Sequence, residues 1–79
     1  MRYTFPHDLL RAQTEWYATY RQLADAAEKQ TGTAAHRRRL QQLSTRIAAH
    51  PYWRTPPGNT PAARMALRKA ARSLAGARP

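Results

Sequence analysis

Four of the six prolines in this 79-residue chain, Pro51, Pro56, Pro57 and Pro61, fall in the run HPYWRTPPGNTP, and that run divides the chain more firmly than any other. Proline fixes φ and has no amide proton, so neither a helix interior nor a sheet interior continues through it. The residue before a proline is also pushed out of helical geometry, so any helix arriving from the N-terminal side must end near His50. On both sides of the run, apolar residues recur at three- and four-residue intervals, and nowhere do they alternate as a strand requires. The chain reads as helices, with a stiff joint before the last of them.

The first helix is expected over about 6–30, opened by Phe5-Pro6-His7-Asp8 and stopped at Thr31-Gly32. Leu9, Ala12, Trp16, Tyr20, Leu23 and Ala27 form one stripe, flanked by Leu10, Tyr17 and Ala24. Opposite lie Arg11, Glu15, Arg21, Asp25 and Lys29. Their four-residue spacing, Arg11 with Glu15 and Arg21 with Asp25 with Lys29, suits surface ion pairs rather than a catalytic pair of acids. A second helix is expected over about 34–50, capped by Thr33, with Leu40, Leu43 and Ile47 on a narrow stripe that extends through His36 and His50. The third, over about 61–75, has the strongest start signal, a Thr60 cap followed by Pro61, and Gly76 to close it. Its stripe is Ala63, Leu67, Ala70, Ala71 and Leu74, and its other flank, Ala62, Ala66 and Ser73, is small.

These segments predict a single all-α domain over residues 1–79. A long antiparallel hairpin is followed by a corner at 51–60, a basic third helix and a short tail at 76–79. The expected core is Leu9, Trp16, Tyr20, Leu23, Leu40, Leu43 and Ile47, with the third helix packed on it through Leu67, Ala70 and Leu74. Trp53 is expected to plug the core at the corner, where prolines aim the last helix; the alternative is an exposed aromatic stacking site. The long connection before the third helix excludes a standard helix-turn-helix.

Charge carries most of the functional information. The net charge is +10, yet residues 1–35 are balanced, while residues 36–79 hold nine arginines and Lys69 with no carboxylate. Twelve arginines against two lysines, beside sixteen alanines, match the bias of a GC-rich genome, which accounts for arginine over lysine but not for the missing acids. Solvated surfaces usually mix signs. A one-signed segment points to an anionic partner, and arginine's planar fork suits phosphate oxygens.

The expectation is therefore a small nucleic-acid-binding protein, for DNA or RNA, that contacts backbone phosphates with little sequence specificity. The residues expected to do this are Arg64, Arg68, Lys69 and Arg72 on the third helix, extended by Arg37, Arg38, Arg39 and Arg54, with Arg11 and Arg21 standing apart. The alternative is a non-enzymatic adaptor or regulator that binds an acidic protein; the small flank of the third helix would also admit a second copy of the chain.

No enzyme is expected, because no hydroxyl, base and orienting group fall at catalytic spacing; Ser44 is not a four-residue helical neighbour of either His36 or His50. No cofactor signature or metal site is expected either. The glycines sit at stops and turns, and His36 and His50 lie about four turns apart. The chain has no cysteine and no apolar run near the ~20 residues that cross a bilayer. Its start lacks an apolar leader, so the expected setting is the cytoplasm, without a membrane partner.

Overall fold

The computed structural model describes residues 3–76; the outer part of the expected tail, 77–79, lies outside the described residues. Three α-helices follow in order, α1 (His7–Glu28), α2 (Ala34–Ala48) and α3 (Pro61–Gly76), with a 3-10 turn at Pro51–Arg54 in the corner. The all-α, three-helix architecture expected from periodicity and proline placement is the observed one. Both α2 and α3 pack on α1 and make no comparable interface with each other. Glu15 and Trp16 of α1 meet Arg39 and Ser44 of α2, and Asp8 meets His50, so α2 runs antiparallel to α1. Arg64 and Leu67 of α3 lie beside Gln13 and Tyr17 of α1, while Arg72 and Ala75 lie beside Tyr20 and Ala24, so α3 runs parallel to it.

The helix ends follow capping chemistry, with two departures from expectation. Thr60 caps α3 as expected, its Oγ1 accepting from the Ala63 N–H at 3.2 Å. Thr33 occupies the cap position of α2 but its side chain makes no capping bond. The stop of α1 is not Gly32 but Gln30, which takes a left-handed φ of 58°. The Thr31 N–H then reaches the Ala26 carbonyl at 2.9 Å and the Gln30 N–H the Ala27 carbonyl at 3.2 Å, a Schellman arrangement built on a non-glycine residue.

One leucine from each helix is almost fully enclosed: Leu9 and Leu67 are 1% exposed and Leu43 is 0%. Each such burial contributes roughly 1.5–3 kcal/mol, a large share for a domain this small. The core thickens at the corner, where Tyr52 packs with Leu9 and Leu67, backed by Phe5, Leu10, Ile47 and Trp53. The corner is thus a packed element, as expected, but its plug is Tyr52, whereas Trp53 is only half-buried. The Tyr52 carbonyl accepts from both the Thr55 N–H at 3.1 Å and Thr55 Oγ1 at 2.6 Å, which folds the proline run back on itself.

Two expected core residues, Tyr20 and Leu74, are instead exposed, 55% and 51%. Trp16, Leu23, Leu40, Ile47 and Ala70 are half-buried. The buried residues of α3 are Ala63, Leu67, Ala71 and Ala75, an unbroken four-residue row. Such a row drifts by about 40° per step around a 3.6-residue helix, so α1 lies obliquely across α3 and leaves Leu74 on the open side. On α1, Ala12, Thr19 and Ala26 are buried at seven-residue intervals, a seam that drifts by about 20° each time and turns Tyr20 outward.

Candidate nucleic-acid interface

The arginine row of α3 is one residue out of step with its buried row: Arg64, Arg68 and Arg72 follow Ala63, Leu67 and Ala71. Because both rows have the same four-residue pitch, the arginines keep a constant relation to the α1–α3 seam along its length. Successive members are about 6 Å apart along the axis. All three are exposed, as is Lys69, and among the described residues none of them pairs with a carboxylate.

The seam beside this row is aromatic. Between α2 and α3 runs a cleft of about 320 Å³, floored by Gln13, Trp16 and Tyr17 of α1, walled by Ser44, Ile47 and Ala48 of α2, and closed by Trp53, Arg64, Leu67 and Arg68. It exists because α2 and α3 each rest on α1 without closing on one another. The Arg64 guanidinium sits over the Trp53 ring, 5.1 Å from its centroid, where the negative face of the indole attracts it. Farther along, Arg72 shares a second groove with Tyr17, Tyr20 and Arg21. Tyr20 stacks on Trp16 with centroids 5.5 Å apart and planes 4° from parallel.

The remaining candidates are dispersed. Arg39 does not extend the free basic surface, for its guanidinium bonds the Glu15 carboxylate, both side chains being less than half exposed. Glu15 thus ties α1 to α2 instead of pairing along its own helix with Arg11. The expected Asp25–Lys29 pair is present at 3.2 Å but widely exposed, and contributes little. Arg38 lines a separate shallow groove with Gln41, Gln42, Thr45 and Arg46, while Arg37 and Arg54 are exposed outside either groove of the seam. Arg21 departs from expectation in the other direction: it stands beside Arg72, on the candidate surface.

The other charged contact is Asp8 with His50. Imidazole Nε2 lies 3.1 Å from both carboxylate oxygens, while Nδ1 accepts from the Tyr52 N–H at 3.1 Å. With Nδ1 accepting, the ring's proton is assigned to Nε2, where it donates to Asp8. That hydrogen bond holds the Asp8 carboxyl below its usual range. Among the described residues no third histidine or acid joins the pair to form a metal-binding group, and no helix is long and apolar enough to cross a membrane.

The reading of the sequence missed Gln13, Trp16, Tyr17, Tyr20 and Arg21 as members of a surface. Trp16 and Tyr20 fall on the apolar stripe that predicts a core position, and no motif distinguishes a core aromatic from one at a seam. No curated protein and no solved structure matches the chain. Residues 8–70 match the model of a family described as a domain of unknown function, DUF8825, and the chain belongs to that family.

Proposed function

We propose that this protein binds nucleic acid through its backbone phosphates, with the α3 arginine row as the principal contact. The observation that carries the reading is that Arg64, Arg68 and Arg72 line up along one seam without a carboxylate partner among the described residues. Arg21 and Lys69 add charge beside that row. Phosphate contact by arginine positions a protein on a strand without reading sequence. The row carries no asparagine or glutamine of the kind that pairs with adenine edges, so little base specificity is expected from it.

Binding of mixed-sequence DNA and RNA, measured against salt concentration, tests this. If each of the three arginines neutralises one phosphate, replacing all three with glutamine flattens the log-log salt slope by about 2–3 units. Arg11→Gln, on an exposed position outside both grooves, leaves the slope unchanged. Absence of salt-dependent binding by the intact protein at low ionic strength overturns the reading and makes an acidic protein the partner to seek.

A further inference from the structure

The cleft between α2 and α3 is built for more than phosphate. Both indoles that border it have their ring N–H already committed. Trp16 Nε1 donates to Ser44 Oγ at 2.9 Å and Trp53 Nε1 to the Ile47 carbonyl at 2.6 Å. These bonds fix the orientation of each ring and leave only its π surface and edge to offer a ligand. Two guanidinium groups and no carboxylate line the same space, which favours an occupant that carries negative charge. The third component is Gln13, which is 7% exposed yet borders the cleft. Its amide takes part in none of the side-chain hydrogen bonds among the described residues. No fully enclosed side-chain polar atom among the described residues lacks a partner, so the unpaired amide retains access to solvent in a side chain that lines the cleft. It presents one acceptor and two donor hydrogens.

An isolated phosphate or a carboxylate side chain would use the arginines and the donor hydrogens of the amide, but neither the indole faces nor the amide's acceptor. A planar heteroaromatic ring joined to a phosphate would use all three. We infer that the cleft receives an unpaired base of single-stranded nucleic acid, stacked at Trp53 and Trp16 with its edge toward Gln13, while flanking phosphates lie on Arg64 and Arg68. This assignment rests on the phosphate-binding reading above and adds to it a preference for single strands. Paired bases in a duplex are already stacked and cannot enter a gap between two helices. The strand then continues along Arg72 to the second groove, where exposed Tyr20, stacked on Trp16, offers a further ring. Arginine and aromatic faces interleaved in this way tolerate any base.

The unaltered protein is titrated at fixed salt with three probes: a single-stranded oligothymidylate, an abasic strand of equal length and phosphate number, and a duplex of the same length. Affinity and tryptophan emission are recorded together, since Trp16 and Trp53 are the only tryptophans and both border the cleft. The expected result is at least about tenfold tighter binding of the oligothymidylate than of the abasic strand, the scale of one base stacked on an aromatic side chain, with emission quenched by the former alone. Equal binding of the two single strands overturns the cleft assignment and leaves the phosphate reading standing. Tighter binding of the duplex than of the oligothymidylate also overturns it. Failure of all three probes to bind overturns both readings.

Discussion

Replacing Gly58 with alanine isolates the steric basis of the corner. Gly58 is buried and its φ is not positive, so conformational freedom is not what requires glycine there. Space is what requires it. A Cβ on this backbone would lie 2.1 Å from the Tyr52 carbonyl oxygen and 2.8 Å from the Tyr52 ring, where ordinary contact begins at 3.4 Å. The obstacle is mainly backbone, so no side-chain rotation relieves it, and the two segments must part by roughly 1 Å in a close-packed interior. That movement pulls on the carbonyl holding both Thr55 bonds and on the ring seated between Leu9 and Leu67. Overpacking of this kind costs about 1–3 kcal/mol, and with Tyr52 partly unseated the upper end, about 3 kcal/mol, is expected. For a domain of this size each kcal/mol lowers the melting temperature by about 4–8 °C, giving a fall of roughly 12–24 °C by circular dichroism. Gly32→Ala and Gly76→Ala are the controls: neither has an obstacle within 4 Å of the new Cβ or a positive φ. They should leave the melt unchanged or raise it by a few degrees, since alanine narrows the unfolded ensemble. A Gly58→Ala protein melting within about 2 °C of the parent would refute the claim that the Tyr52–Gly58 contact holds the corner.

Burial also separates two leucines that lie on the same expected face of their helices. Leu43→Ala, at a fully enclosed site, should cost about 2–5 kcal/mol, whereas Leu74→Ala, half exposed, should cost under about 1 kcal/mol; equal melting shifts would contradict the oblique α1–α3 packing. The Asp8–His50 contact should appear as a pH dependence. The folded-state pKa of Asp8 lies below the ordinary 3.8, so its contribution is complete above about that pH and is lost as pH falls through the lowered folded value. Asp8→Asn should therefore melt below the parent at neutral pH, with the gap closing only in that acid range; a gap that persists there would show that the carboxylate charge is not what the imidazole recognises.

Helix number, order and limits were legible because proline, capping residues and spacing act locally. Thr60-Pro61 starts α3, and α2 ends at Ala48, within two residues of the stop near His50 that Pro51 imposes. What could not be read was how the helices cross. A wheel assigns one fixed face to a helix, but contact along a four- or seven-residue row rotates that face as it goes, so Leu9 and Leu67 were placed correctly while Tyr20 and Leu74 were not. The same rotation brought Arg21 next to Arg72 and left Trp16 at a seam. Long-range pairing was equally invisible: Glu15 has Arg11 four residues away and still binds Arg39, twenty-four residues on, because α2 brings it across the hairpin. Tyr52 and Trp53 are adjacent and both bulky, and only the turn at Pro51–Arg54 decides which of them faces inward.

The geometry of α3 also bears on how its charge can be probed. Arg64, Arg68 and Arg72 lie about 100° around the axis from Ala63, Leu67 and Ala71, so their guanidinium groups stay clear of the buried row while flanking it closely. Their removal takes away positive charge that is unpaired among the described residues, which relieves mutual repulsion rather than breaking an ion pair. Arg64 is the exception, since its guanidinium covers the Trp53 face, and an exposed cation–π contact of this kind contributes about 0.5–1 kcal/mol. That same contact makes Arg64 the link between the two parts of the surface. If a base enters the cleft it must share or take over the indole face that the guanidinium now occupies, which leaves Arg64 to meet the adjoining phosphate. Arg68 borders the cleft without covering an indole, and Arg72 lines the second groove, so under the proposed reading neither has to be displaced before it meets a phosphate.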